Sequence, residues 1–313
     1  MIPLLLALAL SADAPSQGRD RATLLADAAA ALEAGRRTEA RQLLKEAADR
    51  FQSVSALLQL ARLRSGERDA AGALETLQRA RTLAPNSEEV LSAIAQLALA
   101  ARLPVPAAGA LEALTRMCPD VAQYHYLFGV ALMTAGDTVR ATDSLQTADR
   151  LEPGRSLTLA ALGLALNNRK QFAEAKTALS RSLEIDPERG ETIAALAEAE
   201  ASLGDVGAAE QHARRALELA PADPTAHLVI GMVRLQQSRY EDARDALVKA
   251  AAADPQSAKA DYQLSLVYAR LGDTATAERH LESYRRKLAE TNARVKAMRT
   301  DTLPPAVKPG GGR

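Results

Sequence analysis

The chain has 313 residues, of which 47% are hydrophobic and 3% aromatic, and its 39 basic residues balance its 39 acidic residues. A net charge of zero argues against a nucleic-acid-binding surface, which needs a basic stripe. No stretch reaches the roughly eighteen apolar residues that a membrane-spanning helix requires. The single cysteine, Cys118, excludes a disulfide within the chain. We therefore expect neither a nucleic-acid partner nor a transmembrane span.

The chain starts with an apolar leader. Residues 1–14 place an apolar run before small residues, which resembles a secretory signal peptide, although no Lys or Arg precedes the run. This leader indicates an extracytoplasmic protein, periplasmic or secreted. The alternative is a cytoplasmic protein whose leader reflects a misplaced start. Residues 15–20 would then form a short linker.

After the linker, prolines recur with a constant spacing of 34 residues. They are Pro85, Pro119, Pro153, Pro187, Pro221 and Pro255. A fixed period of about 20–50 residues predicts a repeat fold. We number the positions of each unit from slot 1 at Val54, which puts the proline in slot 32. The predicted units are 21–53, 54–87, 88–121, 122–155, 156–189, 190–223, 224–257 and 258–291.

Each unit carries two apolar stripes at helical spacing, which predict two antiparallel helices. Slot 20 is alanine in all seven full units, and slot 8 is always Ala, Gly or Ser. Short side chains at these slots let two helices approach closely. Gly136-Asp137, Gly204-Asp205 and Gly272-Asp273 mark the break between the helices, because glycine ends a helix in the left-handed conformation and aspartate caps the next. The sequence therefore predicts an all-α fold of about eight helix-turn-helix units.

Two units depart from the pattern. In 88–121, Pro104 and Pro106 flank the start of the second helix, so we expect that helix to be shortened there. The unit 21–53 is one residue short, and it has Asp27 where a large apolar residue is due and Gln52 in place of the proline. A terminal unit has one face in water, so these departures are typical of an N-terminal cap.

The period and its slots resemble the tetratricopeptide repeat family over residues 21–291. The resemblance implies a right-handed superhelical α-solenoid whose first helices line a concave groove for a protein or peptide partner, with slots 2, 5, 9, 12 and 13 facing that groove. Two candidate patches follow. The first patch comprises Tyr126, Val130, Met133, Leu164, Asn167 and Asn168. The second patch comprises Leu228, Met232, Leu235, Tyr262 and Leu266.

Apolar residues, methionine and tyrosine on a face that water should reach are typical of a partner surface. The amides of Asn167 and Asn168 could hydrogen-bond the main chain of an extended peptide. The alternative interpretation is that an Ala- and Leu-rich solenoid simply carries extra apolar residues on its first helices.

No constellation of catalytic residues stands out. The four histidines, His125, His212, His227 and His280, are far apart and have no cysteine or carboxylate at metal-ligand spacing. No Gly-x-Ser-x-Gly turn occurs. We therefore predict no catalytic, cofactor-binding or metal site, and a protein that is not an enzyme.

The last helix is predicted to continue beyond its unit, because Ala289 stands where a proline would be due. Residues 292–300 form this extension, and 301–313, rich in proline and glycine, form a disordered tail. Apolar residues along the helix step by three and four, which indicates a packing seam; they are Leu281, Tyr284, Leu288, Thr291, Val295 and Met298. The seam could cover the end of the stack, form a homodimer through the C-terminal helix, or contact an anionic membrane with its basic flanks.

Together these patterns predict a non-catalytic scaffold or adaptor, without cofactors. It would hold a peptide segment or helix of a partner protein in its groove during assembly of an extracytoplasmic complex. The alternative is a regulatory or targeting subunit of an enzyme carried on another chain.

Overall fold

A computed structural model describes residues 19–302, with side chains as far as Arg299. The predicted leader 1–14 and the tail from residue 303 onward lie outside the described residues. Within the described range there are sixteen α-helices and no strand. They are α1 Arg21–Glu33, α2 Arg37–Phe51, α3 Val54–Gly66, α4 Ala70–Leu83, α5 Glu88–Ala100, α6 Pro104–Met117, α7 Ala122–Ala135, α8 Thr138–Leu151, α9 Ser156–Asn168, α10 Phe172–Ile185, α11 Gly190–Leu203, α12 Val206–Leu219, α13 Pro224–Gln236, α14 Tyr240–Ala253, α15 Ala258–Arg270 and α16 Thr274–Thr302.

Consecutive helices pair into hairpins, from α1 with α2 to α15 with α16. The chain divides into two compact units between Pro85 and Asn86. The first unit contains the hairpins α1–α2 and α3–α4, and the second contains the six hairpins from α5–α6 to α15–α16. The all-α, helix-turn-helix prediction is therefore confirmed.

The small slots are the points of closest approach within a hairpin. Leu179, in slot 24 of its unit, is fully buried. A Cβ added to Gly163, in slot 8, would lie 2.3 Å from the Cγ of Leu179. Gly129 and Gly231 occupy the same slot, where an added Cβ would lie 2.5 and 2.4 Å from the Cγ of a leucine. The leucine of the second helix thus fills the space that the missing side chain leaves.

The turns inside the hairpins follow the predicted chemistry. Gly136, Gly204 and Gly272 have φ angles of +96°, +87° and +83°. The aspartates that follow accept hydrogen bonds from backbone N–H groups in the first turn of the next helix. In the other full units, slot 15 adopts the same left-handed conformation without glycine, at Arg68, Arg102, Lys170 and Ser238. The left-handed residue is therefore a requirement of the turn geometry, whatever residue occupies it.

The predicted shortening of the second helix in 88–121 is wrong. Helix α6 begins at Pro104 and has 14 residues, as α8, α10, α12 and α14 do. Pro104 and Pro106 both lie in the first turn, whose N–H groups have no partner within the helix. Proline therefore costs no hydrogen bond at these positions.

The segment 292–300, predicted to extend the last helix, lies within α16, which has 29 residues and ends at Thr302. Residues 301 and 302, predicted to belong to the tail, are therefore still helical. The end of α16 reaches beyond the last hairpin to the start of α8. Met298 is buried, and an arginine near the end of the helix, Arg299, bonds Asp137, the residue that precedes α8.

Candidate partner-binding groove

The first helices of the second compact unit form a common layer. Helix α7 contacts α9, α9 contacts α11, α11 contacts α13, and α13 contacts α15. These contacts make α7, α9, α11, α13 and α15 one continuous layer, and the family resemblance implies that this layer lines the inner side of the stack. The residues that they present on this side are the candidates for partner contact.

The apolar members of the first patch lie together. Tyr126, Val130, Met133 and Leu164 are half-buried and pack on one core cluster that includes Leu166. Val130 also lines a recess of about 430 Å³ with Leu99, Leu103, Pro104 and Thr134. The recess adds a depression at the end of α7 into which an apolar side chain of a partner can fit.

The second patch contains two exposed apolar residues on α15. Tyr262 and Leu266 on α15 are 41% and 38% exposed, whereas Met232 and Leu235 on α13 are half-buried. Leu235 and Leu266 line a recess of about 330 Å³ whose rim includes Arg270. The second patch therefore combines an apolar surface with a polar rim, as protein interfaces do.

Two predicted residues lie in the core. Leu228 is buried in the cluster that joins α13, α14 and α15. Asn167 is buried, and its Nδ2 donates a 2.8 Å hydrogen bond to the carbonyl of Ala195 on α11. In this conformation neither side chain can touch a partner, whereas Asn168 is exposed. The amide of Asn167 holds two first helices of the stack together.

The two patches are separated by α11, which is buried from Thr192 to Ala201. Alanine at the groove slots of α11, Ala194 and Ala201, lets α9 and α13 approach it closely. Gln236 on α13 reaches across and donates a hydrogen bond to the carbonyl of Ala201. The groove is therefore two separate apolar surfaces with a closed segment between them.

Buried carboxylates strengthen this closed segment. Glu198 on α11 pairs with Lys259 of α15 at 2.5 Å. Glu200 accepts a hydrogen bond from His212 at 2.7 Å and lies 3.3 Å from Lys176. The bond to Glu200 raises the pKa of His212 above its usual 6.5. These pairs are structural, because each joins helices within the stack.

Sequence reasoning missed several residues around the first patch. Leu99 occupies slot 12, as Met133 and Leu235 do, so the slot comparison could have found it. Leu103 immediately precedes α6 and Pro104 is its first residue, and neither is in a slot predicted to face the groove. Their place at the recess follows from tertiary packing.

The described part of the chain has neither a group of metal ligands nor a membrane-spanning helix. Among residues 19–302, no three His, Cys, Asp or Glu side chains are grouped so that they could bind a metal ion. None of the helices described has the length and apolarity to cross a membrane.

Comparison with known proteins supports the repeat assignment. Three family models of the tetratricopeptide repeat match residues 92–156 and 228–292, 158–189, and 55–87. No curated protein sequence matches the chain.

Several solved structures share the fold at low sequence identity. A tetratricopeptide repeat protein from Parabacteroides merdae is 14% identical, with a TM-score of 0.57 over 80% of this chain and 99% of its own. A chain of the APC/C hetero-tetramer Cut9–Hcn1 is 19% identical, with a TM-score of 0.53 over 77% of this chain and 48% of its own. The type IV pilus biogenesis factor PilW is 18% identical, with a TM-score of 0.51 over 68% of this chain and 97% of its own. At these identities the likeness concerns the fold alone.

Proposed function

Because this chain belongs to the tetratricopeptide repeat family, we propose that it is a non-catalytic scaffold that binds a peptide segment or a helix of a partner protein. Proteins of this family bind protein or peptide partners and are generally not catalysts. The partner would bind on the inner layer of first helices, and the complex would assemble outside the cytoplasm.

The observation that carries the proposal is the second patch. Tyr262 and Leu266 leave a large fraction of their side chains in water beside a recess that Leu235 also lines. Burying such a surface against a partner is favourable by about 25 cal/mol for each Å² of apolar area. Arg270 and Gln236 at the rim could fix the orientation of the partner's main chain or carboxylates.

A substitution at the second patch tests the site with a matched control. Leu266→Asp places a charge in the recess, and Val248→Asp places the same charge on α14, a second helix, where Val248 is 46% exposed. Neither change should unfold the chain, because both side chains lie at the surface and neither belongs to the buried core. A photo-crosslinking residue at Tyr262 should give a defined adduct in native extracts, which Leu266→Asp abolishes and Val248→Asp preserves.

An adduct that survives Leu266→Asp would reject the second patch as the binding site. The adduct also separates the two candidate functions. An enzyme recovered in it at fixed stoichiometry, with activity that depends on this chain, would favour the alternative of a regulatory or targeting subunit.

The location outside the cytoplasm rests on the leader 1–14. Replacing Leu5 and Leu6 by arginine interrupts the apolar run that a secretory signal needs. We expect the chain to move from the extracytoplasmic to the cytoplasmic fraction. An unchanged distribution would reject the signal-peptide interpretation.

A further inference from the structure

The two halves of α16 have different neighbours. The first half pairs with α15 and is held there by Asp261, a buried carboxylate. Asp261 accepts hydrogen bonds from Ser283 at 2.7 Å and Lys287 at 2.6 Å, and it pairs with His280 at 2.9 Å. Lys287 also donates to the carbonyl of Pro255, just before α15 begins. These bonds anchor α16 on α15 as far as Lys287.

Beyond Lys287 the helix reaches a corner formed by Thr134–Asp137, where α7 ends and α8 begins. Gly136 forms the floor of this contact. A Cβ added to Gly136 would lie 2.3 Å from Cγ2 of Thr291 and 3.6 Å from Cγ2 of Val295. Met298, the next residue of the seam, is only 1% exposed. The corner therefore accepts the apolar seam of a helix.

A charged pair fixes the register of this helix. Arg299 donates two hydrogen bonds to the carboxylate of Asp137, at 3.0 and 2.8 Å. The side chain of Asp137 is almost completely buried, while that of Arg299 is half exposed. A two-pronged bond from a guanidinium to a carboxylate is specific in its geometry. The corner thus recognises an arginine as well as apolar residues.

The corner differs from the other glycine turns of the second compact unit. Gly204 and Gly272 occupy the same slot as Gly136, yet a Cβ added to either would meet no atom within 4 Å. Asp205, in the slot of Asp137, pairs with Lys176 of the neighbouring hairpin instead. The contact with α16 is therefore particular to one corner, which provides matched control positions.

The corner also borders the first patch. Thr134 lines the recess that contains Val130, and its carbonyl accepts a 3.5 Å hydrogen bond from Arg294 of α16. Anything that occupies the corner thus lies at the edge of the apolar recess.

We propose that the corner Thr134–Asp137 is a helix-docking site which the chain's own segment 288–299 occupies as a displaceable latch. The partner recognised at this end of the groove presents an apolar helix with an arginine, and it replaces the latch. This inference rests on the proposed function, since it names the kind of partner for the first patch. The required pattern is that of the latch: Thr291, Val295 and Met298 on one face, followed by Arg299.

The latch is the weaker half of α16. The first half of α16, as far as Lys287, is held by the buried carboxylate of Asp261, which has three side-chain partners, and by an extended contact with α15. In the latch, the arginine of the pair with Asp137 is half exposed to water, and the hydrogen bond from Arg294 to the carbonyl of Thr134 is long, at 3.5 Å. Segment 288–299 should therefore open while the hairpin α15–α16 stays formed.

Amide hydrogen exchange of the full-length protein tests the latch. Asp137→Asn keeps an N-cap side chain for α8 but weakens the bond to Arg299. Exchange in 288–299 should then accelerate about threefold to fivefold. Gly136→Ala inserts a methyl group under Thr291, and we expect an acceleration of about tenfold or more.

The controls are Asp205→Asn and Gly204→Ala. Both make the same chemical change in the same slot but touch no residue of α16. Gly204→Ala carries the same left-handed strain as Gly136→Ala, so the strain cancels in the comparison. Equal exchange in 288–299 for the test and control variants would overturn the latch.

A synthetic peptide spanning residues 284–302 tests whether the corner binds helices. Val295→Asp/Arg299→Glu in the full chain removes the apolar contact and repels Asp137, which frees the corner while leaving its own residues intact. The peptide should bind this variant at least about tenfold more tightly than the wild type, because the tethered latch competes at high effective concentration. Adding Asp137→Asn to this double variant should weaken its binding of the peptide.

Equal affinity for the two proteins, or binding to neither, would overturn the proposal. A wild-type dimer that Val295→Asp/Arg299→Glu converts to a monomer would also overturn it, because the helix would then dock on a second copy. The result is independent of the crosslinking at the second patch. Failure of Leu266→Asp to affect capture would reject the binding surface on α13 and α15, whereas failure of the peptide would reject only the helix site at the corner.

Discussion

Adding one methyl group at Gly163 tests how closely the two helices of a hairpin pack. Gly163→Ala places a Cβ 2.3 Å from Cγ and 2.6 Å from Cδ2 of Leu179, a fully buried side chain. Leu179 must shift, and overpacking of this kind costs about 1–3 kcal/mol. Alanine in place of glycine inside a helix returns about 1 kcal/mol. We expect the free energy of unfolding to fall by about 1 kcal/mol.

Gly109→Ala is the matched control, because Gly109 also lies inside a helix and an added Cβ there meets nothing within 4 Å. Only the higher helix propensity of alanine then acts, so the free energy of unfolding of this variant should rise by about 1 kcal/mol. The difference of about 2 kcal/mol between the two variants measures the packing term alone.

Urea denaturation followed by far-ultraviolet circular dichroism gives both values. A double-mutant cycle with Leu179→Ala should show that the cost of Gly163→Ala disappears when the leucine is absent. The naturally occurring pair Ala197 and Ala213, in the same two slots, illustrates that combination. If Gly163→Ala stabilises the protein as much as Gly109→Ala does, the packing argument is refuted.

Three further predictions concern backbone strain and titration. Lys170 has a φ of +61°, so Lys170→Gly should raise the free energy of unfolding by about 0.5–1 kcal/mol, and Lys170→Ala should not. Glu200 raises the pKa of His212 above 6.5, so protonated His212 stabilises the folded protein fully below pH 6.5. This stabilisation is lost as the pH rises through the folded-state pKa. The melting temperature should therefore fall as the pH rises above 6.5, and it should fall less in His212→Gln. Bonds from Arg234 and Arg214 lower the pKa of Glu210 from 4.5 to about 2, so its contribution is present above pH 4.5 and is lost as pH falls towards 2. We expect about 1–2 kcal/mol from Glu210 after screening by solvent, and Glu210→Gln should remove this acid dependence.

Local features could be predicted from the sequence because they depend on neighbours along the chain. The helical pairs follow from the 34-residue period, and the turns at Gly136 and Gly204 follow from the Gly-Asp pairs that end one helix and cap the next. The predicted shortening at Pro104 was wrong because the position of proline within the first turn decides its effect. The left-handed turns at Lys170 and Ser238 were missed, although their slot is the one that glycine occupies in other units.

For the candidate site, only the exposure and the neighbours of the predicted residues can be compared with the structure. Tyr262 and Leu266 are exposed on the inner layer as the slots indicate, and Val130 and Leu235 line recesses. Whether they contact a partner stays a prediction. Asn167 occupies slot 12, which was predicted to face the groove. It is nevertheless buried, because α9 packs closely against α11 where α11 has alanine.

The family resemblance implied the layer that would carry the candidate patches, whereas the amino-acid sequence by itself determined the class of fold and the number of hairpins. These properties depend on periodicity and capping within about 34 residues, which a single chain displays directly. Only the tertiary structure decided which groove residues stay open, and that Arg299 meets Asp137 across 162 positions of the chain. Such a contact depends on how the five stacked hairpins from α7–α8 to α15–α16 are rotated relative to one another, which no local sequence pattern shows.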